Sequence, residues 1–161
     1  MVKLKIKNFL FILLVLSLIS LTIAYFVEYV LGYQPCNLCV LERIPYALTI
    51  IILIIYYKFK RNLLFYNILL LQIFAFSIII SIYHLGIEQG YIKESSICIS
   101  DNKDLITKES ILESLQQLRV SCKDVTFRIF DLSLTTYNMI LSLFMFLITL
   151  KIYLITNYDK K

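Results

Sequence analysis

The sequence predicts an all-α integral membrane protein: a four-transmembrane-helix bundle with both termini on the cytoplasmic side and a long outer loop carrying a short amphipathic helix. Three observations predict it. Hydrophobic residues make up 60% of the 161-residue chain and its mean hydropathy is +0.80, whereas soluble domains are only about 45–50% apolar. Three Gly and two Pro leave little for a turn-rich fold, so the apolar stretches are read as helices. Basic residues, finally, collect in alternate segments between those stretches.

The apolar runs cover about residues 9–31, 38–57, 63–83 and 134–156, each near the roughly 20 residues that cross a bilayer core. The first run follows Lys3, Lys5 and Lys7 and contains Thr22-Ile23-Ala24, which imitates a signal peptide. The run outlasts a signal core of about 7–15 residues and continues through Tyr25, Phe26 and Val27, so it is expected to be a retained anchor.

Lys58, Lys60 and Arg61 separate the second run from the third, and Lys151, Lys160 and Lys161 lie at or beyond the end of the fourth. With the three N-terminal lysines these segments hold nine basic residues against one acid, Asp159, while the rest of the chain is net acidic. Lys/Arg bias beside the spans sets orientation, placing both termini and the 58–61 link in the cytoplasm. The net charge of +5 is thus a topology signal and excludes a nucleic-acid partner in favour of the lipid bilayer. No internal repeat or low-complexity tract interrupts the chain, and residues 1–161 are read as one membrane domain.

The second run is short. Ile44 to Tyr57 is 14 residues, about 21 Å of helix at 1.5 Å per residue against a hydrocarbon core of about 30 Å. To span, the helix must begin between Cys36 and Val40, which draws Glu42 and Arg43 to the membrane boundary or below it. Ionisable residues there are functional candidates. Pro45 either kinks a continuous helix or starts the main helix after a separate turn at 36–43; both remain open.

The outer loops cover about residues 32–37 and 84–133. In the longer loop Ile111, Leu112, Leu115 and Leu118 lie at helical spacing between Thr107 and Arg119, and Ser110-x-x-Glu113 fits a capping box. This helix is expected to lie on the membrane surface or to pack on the bundle top. Phe127, Ile129, Phe130 and Leu132 then lead the chain back toward the bilayer.

All four cysteines fall in the outer segments: Cys36 and Cys39 as a Cys-x-x-Cys, Cys98 and Cys122 in the long loop. Cys36 and Cys39 would occupy one face of a first helical turn, within disulfide reach. Free N–H groups at the helix start and Arg43, one turn beyond Cys39, favour a thiolate. Redox chemistry, a four-thiolate metal site and plain disulfides are the alternatives. As a staple, a Cys98–Cys122 bond closing about 24 residues would contribute about 3 kcal/mol. His84, the sole histidine, stands at the outer end of the third run, as a polar anchor or a catalytic group. Glu28 is its candidate counterpart at the end of the first run, or an interfacial residue.

This combination resembles the disulfide-bond formation protein B (DsbB) family of bacterial inner membranes. The likeness is carried by Pro35-Cys36-Asn37-Leu38-Cys39-Val40-Leu41-Glu42-Arg43 and by Tyr83-His84-Leu85-Gly86-Ile87-Glu88-Gln89-Gly90. Ser121-Cys122-Lys123-Asp124-Val125, leading to Leu132-Ser133-Leu134 and Tyr137-Asn138, adds to it. The resemblance implies a protein-disulfide oxidoreductase on the periplasmic side of the inner membrane. Such an enzyme reoxidises a soluble DsbA-like thiol oxidase and passes electrons to a membrane quinone, ubiquinone or menaquinone, the relay that keeps the periplasm oxidising. By position, Cys98 would receive the partner's mixed disulfide, with Cys122 as its resolving mate and transient partner of Cys36. Cys39 would face the quinone ring, Arg43 would hold the quinone, and His84 would line the same site. The chain departs from the family pattern in having no tryptophan in the outer loop and in carrying Asp131.

Overall fold

A computed structural model describes residues 2–59, 62–94, 98, 121–123, 128–129 and 132–158. The described elements are helices α1 (Val2–Tyr29), α2 (Asn37–Leu41), α3 (Ile44–Phe59) and α4 (Leu63–Glu88), strands β1 (Arg128–Ile129) and β2 (Leu132–Ser133), and helix α5 (Leu134–Tyr158). The expected surface helix at 107–119, Phe127, Phe130 and Asp131 lie outside the described residues.

Among the described residues four spans are long and apolar enough to cross a membrane: Ile6–Tyr29, Asn37–Phe59, Leu63–Glu88 and Leu134–Tyr158, with mean hydropathies of 2.2–2.7. The all-α, four-helix membrane fold is therefore as the sequence predicts. In the ring of helices α1 packs on α3, α3 on α4, α4 most extensively on α5, and α5 returns to α1. Leu10, Leu13, Leu53, Leu70, Phe74, Met145 and Ile152 fill the centre. Phe11, Ile51, Ile54, Phe65, Phe76, Ile79, Phe144 and Leu147 are exposed, as expected for the face of a bundle turned to lipid.

The second span resolves the question posed by Pro45. α2 ends at Leu41, Glu42 and Arg43 form a turn, and α3 starts at Ile44. Glu42 N–H bonds Leu38 O at 2.9 Å and Arg43 N–H bonds Val40 O at 3.1 Å, while Ala47 N–H reaches Arg43 O at 3.2 Å. Pro45 thus sits in the first turn of α3, where a missing N–H costs nothing. The separate turn forms, and the two pieces together make a 23-residue span of about 35 Å.

α4 continues beyond the expected end at Tyr83 to Glu88, so the outer segment begins later than residue 84. The hydropathy falls at His84, but its polar groups find partners inside the bundle, and the helix has no reason to stop. It ends at Glu88 with Gln89 as the cap, followed by Gly90, whose φ of +79° suits a residue without Cβ; Gly90 N–H bonds Ile87 O and Ile92 N–H bonds Gly86 O, both at 3.0 Å. A second feature absent from the sequence reading is the β1–β2 antiparallel ribbon, pairing Arg128 with Ser133 and Ile129 with Leu132 directly before α5.

Polar side chains tie the spans internally. Tyr46 Oη donates to Asn138 Oδ1 at 2.5 Å and lies 3.1 Å from Ser142 Oγ. Ser142 Oγ is 2.8 Å from Ser77 Oγ, and Asn138 Nδ2 donates to Ser81 Oγ at 2.8 Å. The chain of bonds links α3, α4 and α5 where lipid offers no competing partner. Tyr46→Phe is expected to lower stability in detergent by about 0.6–1.7 kcal/mol, the range for interhelical bonds in membranes, with unchanged helical circular dichroism in the folded state.

Candidate functional site

Sequence order explains the site's placement. The break after Leu41 sets the Cys-x-x-Cys just before the N-terminal end of α3, and the extension of α4 brings His84 to the same level. Cys36 is the N-cap of α2, with extended φ and ψ of −71° and 167°, and its Sγ accepts the Cys39 N–H at 3.1 Å. His84, only 1% exposed, places Nε2 3.5 Å from Cys36 Sγ. On the other side of the ring, Nδ1 is 3.2 Å from Glu42 Oε1 and 3.3 Å from Thr135 Oγ1. Thr135 Oγ1 also donates to Glu88 Oε1 at 2.5 Å, and Glu88 Oε1 stands 3.8 Å from His84 Nε2.

His84 is therefore not a polar anchor at the interface. It is the buried centre of a cluster drawn from α2, the 42–43 turn, α4 and α5. Its carboxylate partners are Glu42 and Glu88, not Glu28. Glu28 instead pairs with Arg43, whose guanidinium also lies over the Tyr25 ring, 5.0 Å from its centroid. Arg43 was expected to stabilise a Cys39 thiolate; the structure commits its charge to Glu28, and the groups that favour a thiolate converge on Cys36.

Cys36 precedes the second span by one residue. Its thiol is lowered to about 5, chiefly by the hydrogen bond from the Cys39 side chain and further by contact with His84, with burial opposing. A helix-start N–H contributes too, as expected, but through the Cys39 amide and onto Cys36.

The other two cysteines form a disulfide, Cys98–Cys122, with Cα atoms 5.5 Å apart; Cys36 and Cys39 are free thiols. Cys36, Leu38, Ile87, Cys98 and Cys122 are buried in a single cluster, with Cys39, Leu41 and Tyr83 packed against it. Glu94 holds the Cys122 turn, accepting from Ser121 Oγ and, at 2.8 Å, from Lys123 N–H. A metal site on all four cysteines is not assembled, since two are consumed in their own bond. Nor are there two disulfides.

Beside this cluster opens a cavity of about 300 Å³. Leu16, Ile19, Val27 and Leu141 give it apolar walls; Cys36, Cys39, Glu42 and Arg43 stand among its polar lining. An apolar cavity bordered by two sulfurs and a guanidinium has the character of a small-molecule site, mostly apolar with a few polar groups. Of the six residues singled out from the sequence, five therefore meet at or beside one cluster through Cys36, Cys39, His84, Cys98 and Cys122, and Arg43 lines the adjoining cavity. Thr135 and Glu88 were missed. The signal for Glu88 was its position four residues after His84; Thr135 offered none beyond being polar at the start of an apolar run.

Fold and site together define a multi-pass membrane protein with a disulfide and a dithiol buried side by side. The sequence matches the family described as Disulfide bond formation protein DsbB over residues 6–152. It is also 32% identical over 134 residues to an uncharacterized protein of Rickettsia prowazekii (strain Madrid E), covering 80% of this chain and 77% of that one. No solved structure matches the chain. The chain belongs to the DsbB family, membrane thiol oxidases of disulfide bond formation.

The Cys36 environment predicts a pH profile. Alkylation by a small neutral reagent should rise through about pH 5 and stay flat above it, because only the thiolate reacts. In Cys39→Ala or His84→Ala, each of which removes a donor to the Cys36 sulfur, the midpoint should move toward the ordinary thiol value of about 8.5. Mass-spectrometric quantification of labelled Cys36 across pH checks this; a wild-type midpoint near that of a free thiol would refute it.

Proposed function

We propose that this protein reoxidises a periplasmic DsbA-like thiol oxidase and delivers the electrons to a membrane quinone, ubiquinone or menaquinone. It would do so as a quinone-dependent protein-disulfide oxidoreductase of the bacterial inner membrane, with its cysteines on the periplasmic side. The observation that carries the reading is the shared cluster: an oxidised outer couple packed against a reduced inner couple, which in turn lines an apolar cavity.

In this reading the partner's thiolate attacks Cys98 Sγ, the Cys98–Cys122 bond breaks, and Cys122 leaves as a thiolate. The partner's second thiol then displaces Cys98, so the partner departs oxidised and the loop couple holds two electrons. With the inner couple oxidised, Cys122 attacks Cys36 Sγ and expels Cys39; Cys98 then displaces Cys36, restoring the loop disulfide and leaving the inner dithiol. Thiol–disulfide exchange requires only access and a competent leaving thiolate, and the Cys39 N–H and His84 supply stabilisation at Cys36.

Cys36, Cys39 and Arg43 would hold the quinone, which when bound accepts two electrons and two protons. Arg43 would orient a carbonyl oxygen from its pair with Glu28. His84, backed by Glu42, would take and return a proton at Cys36 while the surrounding helices exclude water.

The test mixes purified protein with a reduced DsbA-like partner and a soluble quinone, and follows quinone absorbance. Cys39→Ser and Cys98→Ser should each abolish partner oxidation while the fold survives. Arg43→Ala should raise the quinone KM about 10- to 100-fold, the loss of one charged hydrogen bond. Turnover that persists without any quinone would exclude the acceptor. In intact cells, a membrane-impermeant thiol reagent should reach the reduced loop couple from outside; labelling only after the inner membrane is opened would overturn the assigned sidedness.

A further inference from the structure

The inner dithiol has a property that thiol exchange does not require. Cys36 Sγ, Cys39 Sγ and His84 Nε2 all lie within 4.8 Å of one another, with Cys36 Sγ and His84 Nε2 3.5 Å apart. A tetrahedral ion with metal–sulfur bonds of about 2.3 Å and a metal–nitrogen bond of about 2.0–2.1 Å sets its donors about 3.5–3.8 Å apart. The other ring nitrogen faces a carboxylate, Glu42 Oε1, at 3.2 Å. A proton on Nδ1 donated to Glu42 leaves the Nε2 lone pair directed at the sulfurs, the carboxylate–histidine arrangement that orients metal ligands.

Charge favours the same conclusion. Two thiolates and a neutral imidazole compensate a divalent cation, so the ion and its three ligands together carry no net charge, whereas two thiolates alone would be strongly penalised. The adjoining cavity, lined by Cys36, Cys39 and Glu42, leaves a fourth position open to a water molecule.

We propose that the reduced inner couple is a redox-gated metal site, in which Cys36, Cys39 and His84 bind one thiophilic divalent cation such as Zn2+ and Glu42 is the positioning residue for His84. Binding displaces whatever protons the two sulfurs and the ring nitrogen still hold and moves no electron. Both sulfurs that would form the Cys36–Cys39 disulfide are the metal's ligands, so metal and disulfide exclude each other. Zinc is accordingly a reversible inhibitor that captures the enzyme in its reduced state.

The site needs only the thiols and the ring, and it stands or falls apart from the quinone reading. The experiment uses the full chain in detergent with Cys98→Ser and Cys122→Ser, so that the inner couple alone is free to respond. The dithiol form, freed of reductant under anaerobic conditions, is titrated with Co2+. It should bind about one equivalent with a thiolate-to-cobalt charge-transfer band and tetrahedral d–d absorption, both lost on adding Zn2+. The disulfide form should give neither band. Glu42→Gln should weaken binding about 10- to 100-fold and keep the charge-transfer band, while His84→Asn should weaken it at least as much and shift the d–d spectrum.

Absence of the charge-transfer band in the reduced protein, or equal binding by the disulfide form, would overturn the proposal. Unchanged affinity and d–d spectrum in His84→Asn would overturn it too, reducing the site to simple dithiol chelation. Quinone turnover by metal-free wild-type protein is measured alongside. Turnover without cobalt binding sinks the metal site alone; cobalt binding without turnover sinks the quinone assignment alone.

Discussion

A histidine sealed from water is the constraint around which the cysteine-bearing end of this bundle is arranged. Both ring nitrogens of His84 must find partners inside the protein, because at membrane depth no solvent can replace them. Nε2 meets Cys36 and Nδ1 meets Glu42 and Thr135. Those partners come from α2, the turn after it, and α5, so one ring fixes the level of three chain segments against α4. Glu88 extends the arrangement by accepting from Thr135. Each of these polar groups would be costly if buried alone; together they satisfy one another.

That constraint also accounts for the broken second span. A single straight helix from residue 37 would carry Glu42 and Arg43 in its body, with Pro45 clashing against the preceding turn. Breaking at Glu42 and Arg43 turns the two side chains to different neighbours: Glu42 to the ring of α4 and Arg43 to Glu28 of α1. The short α2 then precedes α3 with Cys36 at its N-cap, where the Cys39 amide points at sulfur instead of at solvent. The geometry that meets the length requirement of the membrane is the same geometry that prepares the thiol.

Much of this was legible in the sequence, and the rest was not for identifiable reasons. The spans and their number followed from the apolar runs, because lipid demands a length that composition can report. The turn at 36–43 was one of two outcomes implied by Pro45 and a run too short to cross. The end of α4 was misplaced at Tyr83 because hydropathy registers His84 and Glu88 as polar and cannot register that they are paired. Pairings such as Glu42 with His84 or Glu28 with Arg43 join residues far apart in sequence, and no periodicity encodes them. A weaker signal did exist. Ser77, Ser81, His84 and Glu88 on α4, and Thr135, Asn138 and Ser142 on α5, recur at three- and four-residue steps within apolar runs, marking the two faces that meet.

Pairing of charge has a consequence for chemistry at this depth. Arg43 is offset by Glu28, and Cys36 and Glu42 contact the same imidazole from opposite edges. Placing an uncompensated electron in such surroundings is opposed by the low dielectric, so on the proposed function electrons would leave the inner dithiol together with protons. The Cys36–His84–Glu42 line offers those protons a path made of side chains and independent of bulk water. A quinone accepts electrons and protons together in equal number, which matches that requirement. A metal cation meets it differently, by supplying the positive charge itself and holding both sulfurs where they are. The same charge-compensation condition thus admits either outcome at the dithiol, and which one prevails depends on the affinity and concentration of the cation against those of the oxidant.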